Sequence, residues 1–315
     1  MSDKPFTAAS IEEYFGFRSH WLVTRAGERI HYLDEGHPAG VPVVLIHGSA
    51  IGITAAANFY LTIPPLAAAG FRAVAPDLYG YGWTQSAPGI DPTLPNQVDQ
   101  IIRLMDALDI ERAYLIGNSL GGRISARVAI EAPHRIMGNI VIGTGGATWK
   151  PGPRVPYQFT SREEEQELNR ERVVEAMHKL VNNPEVIPEQ LVEFRTRMAL
   201  RPGETERHQA ATRHRNASAK RAGFDWEAAG RCLVPTLFMY GREDRISPPE
   251  NALAGAEAFP NADLMLFGHC GHWTMVERAD DFNALMLRFL SGYDKRIANP
   301  PLPPTVLRKP EPPAL

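Results

Sequence analysis

The chain has 315 residues, 44% of them hydrophobic and 22% charged, a balance that excludes a wholly disordered or fibrous protein. With 33 basic against 36 acidic residues the net charge is −3, so no broad field favours nucleic acid or an anionic membrane surface. A core of this size needs no staples, and the two cysteines, Cys232 and Cys270, supply neither a disulfide framework nor a cysteine zinc site.

No stretch approaches the roughly 18 apolar residues of a membrane span. The opening MSDKPFTAASIEEYF lacks a basic region followed by an apolar one, so it does not read as a signal peptide, and a cytoplasmic location is expected. Residues 20–24 and 29–33 read as a hairpin joined by Ala26-Gly27-Glu28. Short solid apolar runs follow at 41–46, 71–75, 113–116 and 137–142, each bounded by Gly, Pro or Asp. Runs without alternation mark strands buried on both faces, as in parallel sheets. Helix-length segments lie between them, notably 94–108 and 120–132, the second ended by Pro133. This alternation predicts an α/β protein with an open sheet.

The pattern breaks near Trp149. Residues 150–225 hold no strand-like run, and Ser161 with Glu164 has the form of a capping box. Leu168, Val173, Met177, Leu180 and Val181 then recur at roughly helical spacing, and a second helix is expected from Pro188. Strand patterns resume at 234–240 and 262–267, with a last helix over about 280–290. The expected organisation is an α/β core over 1–149 and 226–292, a helical insertion over 150–225, and a proline-rich, extended or disordered tail over 293–315.

The strongest chemical signal is Gly117-Asn118-Ser119-Leu120-Gly121, a G-x-S-x-G sequence with a buried strand before it and a helix after it. Such a strand-to-helix reversal strains the backbone at the serine and lifts its hydroxyl clear of the sheet, at a helix N-terminus. A serine needs a base, and the base needs an orienting carboxylate. His272 follows the last strand and Asp244 follows the strand before it, both where strand C-termini should gather catalytic groups. The order Ser119…Asp244…His272 is that of an α/β-hydrolase triad. His269 and Glu243 are rivals for the base and the carboxylate. His47-Gly48-Ser49, after the strand at 41–46, offers the backbone N–H of Ser49 opposite that of Leu120 for a developing oxyanion, with His47 in a structural role. Cys270, without an elbow of its own, reads as a small buried residue.

The stretches LIHGSAIGITAAANFYLTIPPL, APDLYGYGWT, GNSLGG, YGREDRISP and FGHCGHWTMVERADDFN resemble the α/β-hydrolase superfamily, and within it the meta-cleavage product hydrolases. Those enzymes split carbon–carbon bonds in ring-fission products of aromatic catabolism. The resemblance implies an α/β-hydrolase fold with a mostly parallel sheet and a helical lid, a 2-hydroxy-6-oxo-2,4-dienoate-type substrate, and a homo-oligomer. It points to Asn58, Asn118 and Trp273 as substrate-binding residues. Ile51 stands where the family usually has proline. A substrate with a carboxylate calls for a cation. Leu191, Phe194, Arg195 and Met198 share one helical face, which puts Arg195 on the apolar side and Arg197 away from it; the family's lid arginine falls at the same position. No metal or organic cofactor is expected. A carboxylesterase or lactonase using the same triad is the alternative activity.

Overall fold

Strands without polar alternation need cover on both faces, and the computed structural model supplies it. It describes residues 6–24, 27–144, 168–221 and 226–297, with side chains for all but 215–221, 226 and 293–297. Among these residues eight strands form one sheet: β1 Ser19–Val23, β2 Arg29–Gly36, β3 Pro42–Ile46, β4 Arg72–Pro76, β5 Ala113–Asn118, β6 Ile136–Ile142, β7 Thr236–Gly241 and β8 Ala262–Phe267. The order across the sheet is β1-β2-β4-β3-β5-β6-β7-β8. The first two pairings, β1 with β2 and β2 with β4, are antiparallel, and every later one is parallel. Five parallel strands, β3 and β5 to β8, therefore end at one edge, where the loops carrying His47, Ser119, Thr144, Asp244 and His272 begin.

Helices α1 Ser10–Phe15, α2 Ala55–Phe59, α3 Ile63–Ala68, α4 Leu94–Ala107 and α5 Leu120–Glu131 belong to the first half of the chain. The α5 helix lies very close to the sheet because its first turn is glycine: a Cβ on Gly121 would stand 1.9 Å from the carbonyl oxygen of Ile46. Helix α4 starts on a Thr93 cap, whose hydroxyl accepts from the N–H of Asn96 at 3.4 Å. Between β6 and β7 lie α6 Arg170–His178, α7 Glu189–Ala199, α8 Glu204–Arg221 and α9 Trp226–Arg231, with no strand among the described residues of that segment. The chain closes with α10 Pro249–Ala258, α11 Thr274–Glu277 and α12 Ala279–Ile297.

Several boundaries differ from the sequence expectation. Helix α1, stopped by Gly16 at φ 75°, is too short for a periodic signal and was not anticipated. β7 begins at Thr236 rather than 234, because Pro235 has no N–H for the ladder, although its carbonyl accepts from Asn139 at 2.8 Å. Pro188 is the extended N-cap of α7 rather than a residue of its first turn. Helix α12 runs on to Ile297, so residues 293–297, assigned to an extended tail, are helical. The Ser161–Glu164 pair and residues 298–315 lie outside the described residues.

Candidate active site

Ser119 terminates β5 and caps α5. Its φ of 54° and ψ of −111° place a non-glycine residue in a region L side chains avoid, so the reversal read from the sequence is present with its strain. The surroundings hold that conformation. The Ser119 N–H donates to the carbonyl of Ile142 at 2.7 Å, and the Thr144 hydroxyl donates to the Ser119 carbonyl at 3.1 Å. Gly117 must be glycine, since a Cβ there would be 2.3 Å from the carbonyl oxygen of Gly121.

His272 and Asp244 meet across the ends of β7 and β8. Nδ1 of His272 lies 2.8 Å from Oδ2 of Asp244, and both residues are buried. The other carboxylate oxygen, Oδ1, accepts from the N–H groups of Ile246 and Ser247, each at 2.8 Å, so the carboxylate is held at both ends. The two rivals do other work. Glu243 accepts from the Cys270 N–H at 3.0 Å and pairs with Arg242. That backbone N–H, followed by the Arg242 charge, keeps its carboxyl below the usual range. His269 is exposed, in a left-handed turn with φ 54°. Cys270 is buried, and burial raises its thiol well above the ordinary range, which suits an inert packing residue.

The turn after β6 touches both the histidine and the backbone of the serine. Gly143, at φ 55°, passes so near the imidazole that a Cβ would lie 2.8 Å from Nδ1 of His272, while its neighbour Thr144 bonds the Ser119 carbonyl. Tyr240 fixes that turn: its hydroxyl accepts from the Thr144 N–H at 2.8 Å and donates to the Thr144 carbonyl at 2.7 Å. Among the described residues neither Ser119 Oγ nor His272 Nε2 has a hydrogen-bond partner.

Opposite the serine runs the loop after β3. A Cβ on Gly48 would be 3.2 Å from Ser119 Cβ, which sets the backbone of Gly48 and Ser49 against the elbow. His47 shapes this loop from below: Nδ1 donates to the Gly48 carbonyl at 2.7 Å, and Nε2 accepts the N–H of Leu78 at 3.0 Å. That pattern requires the neutral ring, and burial accordingly lowers its pKa. The same loop is tied to helix α7. Arg195 donates from Nε and Nη2 to the carbonyl of Ile51, at 3.0 and 2.5 Å, and a Cβ on Gly52 would meet the Arg195 carbonyl at 2.2 Å.

Arg195 is fully buried and has no carboxylate partner among the described residues; burial lowers its pKa to about 9. Its guanidinium carbon stands 5.3 Å from the ring centroid of Trp273, and Nη1 has no partner among the described residues. Among the described residues no partner is found for the two buried amide atoms of Asn58 on α2 or for Nδ2 of Asn118. Arg197 points elsewhere, to the Tyr14 hydroxyl and the face of Phe6. No group of three or more His, Cys, Asp or Glu among the described residues is placed to hold a metal ion, and no described helix is long and apolar enough to cross a membrane. A groove of about 970 Å³ between the N-terminal segment, the loop after β4 and α8 is lined by none of these residues.

Reading the sequence missed two groups that hold the site, the Gly143–Thr144 turn and Tyr240, and a buried tie away from it, Asp77, whose Oδ2 lies 2.8 Å from His31 Nδ1. Asp77 sat inside the quoted APDLYGYGWT, but only the fold shows what its carboxylate holds.

This arrangement of sheet, elbow and late His–Asp pair defines an α/β hydrolase, and the α/β hydrolase fold family model matches residues 41–279. The chain belongs to that family. Its relatives include the 2-hydroxymuconate semialdehyde hydrolase of Pseudomonas sp. strain CF600, 34% identical over 86% of this chain and 94% of that one. The 2-hydroxy-6-oxo-2,4-heptadienoate hydrolase of Pseudomonas putida F1 is 33% identical over 87% and 96%. Among solved structures, a meta-cleavage product hydrolase from Pseudomonas fluorescens IP01 aligns with TM-score 0.76 at 29% identity, covering 87% of this chain and 97% of that chain. The 2-hydroxy-6-oxo-6-phenylhexa-2,4-dienoate hydrolase of Rhodococcus sp. RHA1 gives 0.77 at 28%, covering 87% and 99%. This protein is thus an α/β hydrolase homologous to serine-type meta-cleavage product hydrolases.

Proposed function

We propose that the protein hydrolyses a carbon–carbon bond in a 2-hydroxy-6-oxo-2,4-dienoate-type compound. The observation that carries this reading is Arg195: a buried guanidinium that has, among the described residues, no counter-ion and one unpaired nitrogen is suited to an anionic substrate group. The substrate carboxylate fills that need, with Asn58, Asn118 and Trp273 completing its end of the site. His272, oriented by Asp244, first relays the enol proton to carbon, and the ketone so formed is the electron sink for bond breaking. Ser119 then acts as nucleophile, or activates the water that does, with His272 taking the proton. The N–H groups of Ser49 and Leu120 receive the oxyanion, and the broken bond's electrons flow to the ketone as the acyl carbon takes up water. The helices between β6 and β7 act as the lid.

The test compares a coloured ring-fission dienoate with a neutral p-nitrophenyl ester, for wild type and Arg195→Ala. Losing a charge-assisted hydrogen bond should lower kcat/KM on the dienoate about ten- to hundredfold and leave ester hydrolysis little changed. Equal losses on both substrates, or wild-type preference for the ester, would move the assignment to a carboxylesterase or lactonase.

A further inference from the structure

Glu277 ends the short helix α11 directly after His272 and Trp273, and it does no chemistry in the scheme above. Its carboxylate nevertheless gathers three backbone N–H groups from two separate parts of the chain. Oε2 accepts from Gly271 at 2.6 Å and from Asn182 at 2.9 Å, and Oε1 accepts from Asn183 at 2.5 Å. Gly271 belongs to the loop that carries His272. Asn182 and Asn183 belong to the segment between α6 and α7, the helix that bears Arg195. The two backbones touch as well: the Trp273 N–H donates to the Leu180 carbonyl at 2.9 Å, and a Cβ on Gly271 would stand 2.8 Å from Asn182 N. The other braces of the histidine loop, Glu243 to Cys270 and Arg278 to Gly268, both come from the core side. Glu277 alone among these acidic and basic braces reaches the inserted helices.

We propose that Glu277 is a positioning residue, an ionic clasp that fixes the inserted helices to the histidine loop and so sets the distance between Arg195 and the reacting groups. A carboxylate suits the task because it accepts at both oxygens, and charge-assisted bonds are the stronger kind. Trp273 completes the link, with its N–H on Leu180 and its ring under Arg195. The proposal rests on the functional reading above for its kinetic consequence, but the clasp itself is a structural claim and can be tested without it.

Hydrogen exchange followed by mass spectrometry on Glu277→Gln should show faster exchange in peptides covering 179–184 and 269–274 together, with β5 and β7 unchanged. The amide side chain turns one acceptor into a donor, so at least one of the three bonds is lost. Gly271→Ala attacks the same contact from the other side and should give the same paired response. No change in either peptide, or a change in 269–274 alone, would overturn the clasp. The second arm is a double-mutant cycle with dienoate turnover as readout. Glu277→Gln should cost roughly tenfold in kcat/KM when Arg195 is present and less than about threefold in the Arg195→Ala background, because contacting networks are non-additive. Equal fold-losses in both backgrounds would mean that Glu277 merely supports the loop. If wild type does not turn over the dienoate, the functional reading fails and the exchange experiment still decides the clasp.

Discussion

Two histidine–aspartate pairs lie buried in this protein with the same geometry. His272 Nδ1 and His31 Nδ1 each stand 2.8 Å from an aspartate Oδ2, on Asp244 and Asp77. A serine also contacts the His31 ring, whose Nε2 is 3.0 Å from Ser19 Oγ. The difference lies in the proton. The Ser19 hydroxyl donates to the Ala8 carbonyl at 2.7 Å, so His31 Nε2 must donate to Ser19 and has no lone pair to offer as a base. Asp77 is equally committed, accepting from the N–H of Ala55 at 2.8 Å and of Trp83 at 2.9 Å. Burial pushes its carboxyl up, but the His31 charge and hydrogen bond, with the Ala55 N–H, hold it at about 2. The His31–Asp77 pair is an internal tie between β2, the loop after β4 and the start of α2. The His272–Asp244 pair packs against Gly143, whose neighbour Thr144 bonds the carbonyl of the strained Ser119, and in the proposed mechanism it is this pair that moves a proton.

The comparison is broken or sharpened most strongly at the serine. Ser119→Ala should cut turnover by several orders of magnitude, leaving about 10³–10⁴ over water, with an unchanged melting curve. Ser19→Ala should leave turnover per folded molecule near wild type; a comparable collapse there would assign the chemistry to the wrong pair. Next come the aspartates. Asp244→Asn should lower kcat by about 10⁴ with modest loss of stability, since the ring would be held in the wrong tautomer. Asp77→Asn should do the reverse, costing about 3–5 kcal/mol in denaturant titration by stranding a buried partner, with kcat retained in the folded fraction.

A smaller effect concerns acid. The folded Asp77 carboxyl lies below its ordinary value of 3.8, so its contribution is fully present above that value and is lost as pH falls through about 2. Wild type should therefore lose roughly 2 kcal/mol more than Asp77→Asn over that window, read from urea midpoints at successive pH values. The smallest effect is at the rival histidine: His269→Ala should be nearly silent in kcat, and a loss matching His272→Ala would reverse the choice of base.

Much of this was legible because certain signals are local. Val43 to Ile46 and Leu115 to Ile116 announce buried strands by lacking polar alternation, and Ser119 announces its turn through glycines at 117 and 121. Arg195 could be put on the apolar face of α7 because helical spacing alone fixes which residues share a face. The reach of α12 to Ile297 and the existence of α1 were not legible, since one continues into an end region with proline nearby and the other is under two turns long.

By itself the sequence determined the order of the elements, the strained serine and the chemical types available to it, because these depend on spacing and on the few residues that tolerate a sharp reversal. It nominated Asp244 and His272 but left Glu243 and His269 as rivals. Only the tertiary structure gave the four their different surroundings: it turned His269 to solvent, set Glu243 on the Cys270 N–H, and laid Asp244 against His272. It alone showed that the Ser19 proton is already spent and that Glu277 joins two distant segments. Those outcomes turn on where each hydrogen-bond donor ends up, and in folded protein a buried donor takes its partner from whatever the fold brings near rather than from its neighbours in the chain.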